Sequence, residues 1–447
     1  MATPHSVAFH TLGCKLNYAE SSTIKRQFEA HGFQVVPFEI GADITVINTC
    51  SVTDFADRKC RKAVRSAIRA NGSTRVVVIG CYAQLKPDEI AKIDGVDLVL
   101  GADKKFQILD YIDGLEKTVE KGWVDRTSIE DVVTFTGSFS FGDRTRSFLK
   151  IQDGCDYHCS FCTIPLARGR SRSPSIQQVI DSARKIVQLG KKEIVLTGVN
   201  IGDFGHGSGS TSRFENGNFF DLIQELDRQV YVPRIRISSI EPNLCSDAII
   251  DFVATSGRFM PHFHMPLQSG NDNILKAMQR RYRSKEYRER VDRIRGLIPH
   301  ACIGADVIVG FPGETDADFR ETLDFMGDLE LNYIHAFTYS ERANTKAASL
   351  EQSVPMQVRR DRNKQIRHLS EKKRRNFYGQ HLSTSRPVLF ENDQRPETLS
   401  GYTDNYIKVR ISSKDQSIND LLQVHLSHLE PDGVVSGVRA SSESISA

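Results

Sequence analysis

The chain has 447 residues, 39% hydrophobic and 26% charged, which is the balance of a soluble globular protein and too long for one ordinary core, so two or three domains are expected. The formal net charge of +3 is too small to imply a polyanion partner. The longest apolar runs, such as Val76 to Ile79, fall far short of the roughly 20 residues of a membrane span, and Met1 to His5 lack a secretory pattern, so a cytoplasmic protein with no membrane partner is expected.

Strand and helix signals alternate over the first part of the chain. Val7–His10 is a short strand, Leu16 to His31 a helix closed by Gly32, and Asp43–Ile47 the next strand. A basic helix around Asp54–Ala70, a strand over Arg75–Ile79 and a helix opened by Pro87 follow. This alternation predicts a parallel sheet flanked by helices. Leu115 to Ser147 is poor in pattern and reads as a linker with some extended structure.

From Phe148 the alternation resumes. Strands are predicted at Phe148–Ile151, Glu193–Thr197, Arg234–Ser239, His262–Pro266, Cys302–Val309 and Tyr333–Tyr339. Helical patterns fill the gaps; in one, Ile176, Val179, Ile180, Ala183 and Val187 share a face, started by Ser173-Pro174 and ended by Gly190. Six βα units predict a partial (β/α)6 barrel. Beyond it, Pro387–Phe390, Tyr406–Ile411 and Leu422–His425 predict a small all-β barrel or sandwich, with a loose serine-rich tail after Gly433.

Nine cysteines in a reducing compartment point to metal binding, catalysis or packing, not disulfides. Cys155-Asp-Tyr-His-Cys159-Ser-Phe-Cys162 follows a predicted strand end, the rim where barrel active sites sit. Three thiolates on a four-iron cluster leave one iron open. Zinc would want a fourth ligand, for which only His158 inside the loop is at hand. This motif resembles the radical S-adenosylmethionine (SAM) superfamily, which implies that the open iron chelates SAM and that SAM is cleaved to a 5′-deoxyadenosyl radical.

Cys14, Cys50 and Cys81 each follow a predicted strand of the first sheet, so three strands deliver a cysteine to one carboxyl edge, where open α/β sheets bind ligands. Gly13 and Gly80 would allow close backbone approach to a metal group. The surrounding residues, Thr11 to Asn17, Asn48 to Thr53 and Gly80 to Gln84, resemble the N-terminal domain of the methylthiotransferase family. Ile164-Pro165, Arg168 to Arg172 and His264 to Gly270 extend the resemblance through the barrel. Cys14-Lys-Leu-Asn-Tyr-Ala-Glu20, Leu166 to Ser173 and Ser238 to Pro242 look most like the threonylcarbamoyladenosine tRNA methylthiotransferases.

The resemblance implies an N-terminal open α/β sheet domain over 4–117 carrying an auxiliary cluster, a radical SAM core over 141–371, and a TRAM-like β-domain over 373–437. It implies two 4Fe-4S clusters, one on Cys14, Cys50 and Cys81 and one on Cys155, Cys159 and Cys162. SAM contacts are expected at Gly198 and Asn200 after the second barrel strand, at Ser239 and Glu241 after the third, and at Gly310 and Gly313 after the fifth. Glu241 suits the ribose hydroxyls, and an ordinary surface carboxylate is its plain alternative. His262 and His264 share a strand face and are expected to be hydrogen-bonded near the rim, a proton acceptor being the sharper reading. Cys60, Cys245 and Cys302 are expected to be non-ligands.

Between Val358 and Leu382 nine Lys or Arg face two acids. A solvated helix would interleave glutamates, so Arg359, Arg362, Lys364, Arg367, Lys372, Lys373, Arg374 and Arg375 are expected to contact RNA phosphates. The segment 383–447 is net acidic, six basic residues against nine acids, so any recognition there rests on shape or unstacked bases.

The expected activity is conversion of N6-threonylcarbamoyladenosine, next to the tRNA anticodon, to its 2-methylthio derivative. The partners are the anticodon loop, a reducing electron donor and a sulfur donor. The rivals are a methylthiotransferase acting on isopentenyladenosine tRNA or a ribosomal protein, a non-catalytic iron–sulfur RNA sensor, and a zinc-bearing RNA-binding scaffold.

Overall fold

The computed structural model describes residues 6–50, 54–117, 121–142, 145–206, 217–413 and 417–440. Ser51 to Thr53 of the second cysteine motif and the serine-rich end from residue 441 lie outside them.

The N-terminal sheet is parallel throughout. Its strands are β1 (Ser6–Thr11), β2 (Gln34–Val35), β3 (Ile44–Thr49), β4 (Arg75–Gly80), β5 (Val96–Leu100) and β6 (Trp123–Asp125), in the order β2-β1-β3-β4-β5-β6. Every residue of β3 and β5 is buried. Helices cover both faces, which is why such strands carry no polar alternation. The helix Lys15–Ala30 ends at His31, and Gly32 takes the left-handed conformation (φ 84°) expected after a helix end. β6 lies inside the segment 115–147 that pattern alone reads as linker; three residues are too few to show a period.

A second sheet follows. β7 (Ser138–Phe139) runs antiparallel to β8 (Arg146–Lys150), which is succeeded by β9 (Glu193–Thr197), β10 (Arg234–Ile237), β11 (His262–His264), β12 (Cys302–Val309) and β13 (Tyr333–Thr338). The ladders β10-β9-β8 and β11-β12-β13 are parallel, and bridges Ile235–Phe259 and Ser239–His264 join them. β8 to β13 therefore stand side by side in sequence order, the partial (β/α)6 barrel expected. The helix Ile176–Gln188 is capped by Ser175, whose hydroxyl accepts from Gln178 N, one residue later than Pro174 implied.

The two faces of these strands have opposite chemistry. Leu149, Leu196, Ile235, Phe263, Ile303, Val307 and Ile334 pack outward on the helices and form the largest core. The alternate positions Lys150, Glu193, Arg234, Arg236, His262 and His264 are buried and polar. A polar lumen behind an apolar shell is costly unless every charge is matched, so these residues mark where function sits.

The long helix Met356–Gln380 packs along β13 and continues unbroken past residue 373. It leads into a closed barrel of β14 (Ser385–Asn392), β15 (Thr398–Thr403), β16 (Lys408–Ser412), β17 (Leu421–Leu429) and β18 (Val435–Arg439), ordered β14-β15-β16-β18-β17. The expectation of a loose tail after Gly433 is corrected here: β18 closes this barrel. Its Gly437 is placed where a Cβ would lie 2.5 Å from a Val424 methyl, so the residue that weakens the strand signal is the one that closure needs. Arg234 donates to Tyr402 O at 2.9 Å and Arg236 to Asp404 O at 3.0 Å, seating the small barrel against the start of β10. Among the described residues no helix is long and apolar enough to cross a membrane.

Candidate active site

β1, β3 and β4 are neighbours, with Thr11 opposite Asn48 and Thr49 opposite Gly80. Cys14 caps the helix after β1, Cys50 follows β3, and Cys81 opens the helix Cys81–Leu85 after β4. Three sulfurs are thus delivered to one edge by strands about 5 Å apart. Two glycines make this possible. A Cβ on Gly13 (φ 107°) would sit 2.6 Å from Cys50 Cβ, and one on Gly80 (φ 99°) would sit 2.4 Å from Asn48 Oδ1 and Thr49 O. Burial pushes the Cys81 thiol up, with Cys14 among the groups that act on it and Arg168 opposing the shift.

The second trio lies on the loop after β8. Gly154 N donates to Asp153 Oδ1 at 2.9 Å and Cys155 N to Gly169 O at 3.0 Å, which fixes the loop. Donors already point at the sulfurs: Tyr157 N at 3.4 Å from Cys155 Sγ, Ile164 N at 3.5 Å from Cys162 Sγ, and Arg280 Nη1 at 3.1 Å from Cys159 Sγ. Burial pushes the Cys155 and Cys162 thiols up to about 12, so without a cation both stay protonated. Thiols of this kind, ringed by N–H donors, fit an iron–sulfur cluster, because the metal supplies the positive charge that removes their protons. His158 is exposed.

The positions expected to hold SAM rim the same loop. Gln152, fully buried, donates to Asp153 O, Gly154 O and Ser171 Oγ and accepts from Val199 N and Asn200 N, locking the cysteine loop to the Gly198–Asn200 turn. Both side-chain polar atoms of Asn200 are buried and make no hydrogen bond among the described residues. Glu241 is ion-paired with Arg280, the residue that also donates to Cys159. Ser239 bridges to His264. Gly310 and Gly313 (φ 76° and 83°) form the turn after β12.

A buried ion network joins the two trios. Glu20, fully enclosed, accepts from Lys105 at 2.7 Å, Lys150 at 3.0 Å and Arg168 at 3.0 Å. Asp153 accepts from Lys150 at 2.6 Å and Arg168 at 2.9 Å. The cations hold both carboxylates well below their usual range against the opposing effect of burial. Arg168 also donates to Asn17 Oδ1 at 2.7 Å, and Asn17 Nδ2 donates to Leu12 O and Thr49 O, ties beside Cys14 and Cys50. The helix Cys81–Leu85 packs on the helix Ile164–Arg168, so the two cysteine loops are adjacent.

Lys15, Arg146, Arg236 and His262 line a lumen cavity of about 270 Å³ that reaches Cys14. Burial and the two guanidiniums push the Lys15 ammonium down to about 8. His262 and His264 both contact the Tyr333 hydroxyl, at 2.9 and 3.0 Å, the hydrogen-bonded arrangement expected for them. Asp306 lies 3.0 Å from His264 Nε2 and 3.1 Å from His335 Nδ1. Outside the lumen, a groove of about 1880 Å³ runs between the long helix, β13 and the small barrel, past Lys364, Arg367, Lys372, Arg374, Tyr333, Tyr402 and Tyr406.

The groove corrects the expectation for the basic block. Arg359 is buried, ion-paired with Glu341, and fills the space beside Gly310. Arg362 is buried on Glu314 at 2.5 Å and Asp316 at 2.7 Å. Neither reaches a phosphate; both brace the Gly310–Gly313 turn. Lys373 donates to the carbonyls of Gly327 and Leu329, and Arg374 and Arg375 pair with Glu371. Lys364, Arg367 and Lys372 remain exposed. Helical periodicity separates these sets, since every third or fourth residue turns inward, but a count of charge does not. Sequence reasoning also passed over Gln152, Arg280, Asp306 and the role of Glu20. A carboxylate between Leu16 and Ile24 on an apolar helix stripe was the available signal for Glu20; Arg280 offered none.

Residues 6–101 match a family described as Uncharacterized protein family UPF0004, and residues 149–326 match the Radical SAM superfamily. The threonylcarbamoyladenosine tRNA methylthiotransferase MtaB of Bacillus subtilis is 38% identical, covering 94% of this chain and 93% of its own. MtaB of Aquifex aeolicus is 37% identical over 90% of this chain and 96% of its own. The tRNA-2-methylthio-N(6)-dimethylallyladenosine synthase of Methylacidiphilum infernorum is 32% identical over 82% of this chain and 80% of its own. Among solved structures, the radical SAM methyltransferase TsrM of Kitasatospora setae superposes with a TM-score of 0.54 at 14% identity, covering 77% of each chain, a likeness of fold. The chain is a radical SAM enzyme, with SAM and 4Fe-4S clusters as its cofactors, and it belongs to the threonylcarbamoyladenosine tRNA methylthiotransferase family.

Proposed function

We propose that this enzyme converts N6-threonylcarbamoyladenosine beside the tRNA anticodon to 2-methylthio-N6-threonylcarbamoyladenosine, with Cys155, Cys159 and Cys162 holding one cluster and Cys14, Cys50 and Cys81 the other. The observation that carries the reading is the pair of thiol trios on adjacent loops, tied through Arg168 to both sides. When bound, the clusters supply the electron that splits SAM and the site that carries sulfur. Asn200, with its unmet hydrogen-bonding atoms, and the Gly198 backbone would hold the methionyl end of SAM. Ser239 and the Arg280-anchored Glu241 would offer acceptors to the ribose, and the braced Gly310–Gly313 turn would hold the adenine. The buried ion pairs of Glu20 and Asp153 with Lys150 and Arg168 fix the two cysteine loops relative to one another.

The substrate base has to leave its stack, which costs least in a loop. Lys364, Arg367 and Lys372 on the groove take loop phosphates. The expected limits 4–117, 141–371 and 373–437 shift: the first sheet runs on to Asp125, the second begins at Ser138, the helix Met356–Gln380 spans the last boundary, and the small barrel ends at Arg439. The reaction draws on an electron donor and a sulfur donor from outside the chain, and a cytoplasmic setting supplies both and the tRNA. The test is nucleoside mass spectrometry of tRNA together with SAM cleavage. Cys155→Ala is expected to abolish 5′-deoxyadenosine formation, and Cys50→Ala to retain cleavage but lose methylthiolated product. Unimpaired methylthiolation by Cys50→Ala would overturn the reading.

A further inference from the structure

The lumen cavity beside Cys14 has three cations on its wall, Lys15, Arg146 and Arg236, and no carboxylate. Two of the cations are matched. Arg236 donates to Glu193 at 3.0 Å, and Arg146 lies over the Tyr402 ring and 3.5 Å from Glu391. Lys15 is not: among the described residues its ammonium makes no hydrogen bond or ion pair. His262, only 4% exposed, lines the same cavity; Tyr333 occupies its Nε2, and its Nδ1 is buried with no hydrogen-bond partner. An unmatched cation and an orphan ring nitrogen on the wall of one partly open cavity describe a site built for an absent polar anion.

Size and position narrow the anion. About 270 Å³ is at the small end for sites that enclose a whole ligand, so the cavity takes a substituent, not a nucleotide. A backbone phosphate is flanked by a sugar on each side, whereas a substituent on a base ends free and suits a cavity of this size. We propose that this cavity binds the carboxylate of an amino-acid substituent on N6 of the substrate adenine, with Lys15 as counter-cation and His262 Nδ1 as partner for the substituent's hydroxyl. Because Cys14 lines the same space, the anchored substituent would hold the base against the N-terminal trio. The inference rests on the substrate reading above and assigns residues to it.

The test uses cluster-loaded enzyme, SAM at fixed concentration, and anticodon stem-loops carrying N6-threonylcarbamoyladenosine or its methyl ester, which removes only the charge. Wild-type enzyme is expected to bind the acid about 10- to 100-fold more tightly than the ester, the range for a charge-assisted hydrogen bond. Lys15→Gln should erase most of that preference and Lys15→Arg retain it, with iron content measured alongside. Equal wild-type affinity for acid and ester overturns the proposal, even if the Gln variant fails to fold. So does a Lys15→Gln variant that weakens both RNAs equally, or one that weakens SAM binding alone, which would assign Lys15 to the methionyl carboxylate. Absence of methylthiolated product from wild-type enzyme and the acid RNA would instead sink the substrate reading itself.

Discussion

Glu20 is one carboxylate facing three cations, Lys105, Lys150 and Arg168, all of them buried. With Asp153 and Arg172 added, four cations face two acids. The surplus is positive because two thiolate-held clusters would add negative charge nearby; the Cys81 and Cys14 sulfurs already act on Arg168. Removing one partner of a buried set leaves charges uncompensated, so Glu20→Gln is expected to cost about 3–5 kcal/mol in anaerobic urea unfolding. Glu89→Gln, which breaks the exposed pair with Arg61, should cost less than about 1 kcal/mol. Gly80 acts by conformation, not charge. Gly80→Ala would place a methyl against Asn48 and Thr49 at a left-handed φ, and it should lower bound iron by one cluster per chain while the barrel cluster persists. Retention of both clusters by iron analysis would count against the tight approach of β3 and β4 as the reason for this glycine.

At the scale of elements, the helix Met356–Gln380 serves two surfaces. Its inward arginines hold the turn after β12, and its outward cations face the groove. The two sets should respond differently. Lys364→Ala, Arg367→Ala and Lys372→Ala together are expected to reduce the slope of log K against log salt for stem-loop binding by about 2–3, with unfolding unchanged. Arg359→Ala should lower stability by roughly 2–3 kcal/mol, because the buried carbonyls of Val354 and Tyr339 lose their donor and the space beside Gly310 is emptied, and leave the salt slope as it was. A changed slope in Arg359→Ala would return that residue to the RNA face. Both halves of the helix look alike in composition, and only its packing on β13 tells them apart.

Over the whole molecule, three units meet around one lumen. The N-terminal helix Lys15–Ala30 lies against β7 and β8, and the small barrel is pinned to β10 by arginine–carbonyl bonds. Removing residues 435–440 would take β18 out of a closed barrel and expose Val409, Val424 and Leu426, whose burial depends on it. The truncated protein is expected to show protease cleavage between β14 and β17 and weakened RNA binding, with iron content retained. Undiminished protease resistance there would mean that β18 is dispensable for closure.

The chain by itself determined the alternation of strands and helices, the close spacing of Cys155, Cys159 and Cys162, and the family, because periodicity and short motifs are local; that Cys14, Cys50 and Cys81 share one edge follows from the pairing of β1, β3 and β4. It also located the six barrel strands to within a few residues. Tertiary structure alone decided which basic residues face solvent, that Val435 to Arg439 form a strand, and that Glu20, Lys150 and Arg168 meet. Those facts depend on contacts between residues as many as 148 positions apart, as for Glu20 and Arg168, and no local pattern encodes a partner so distant.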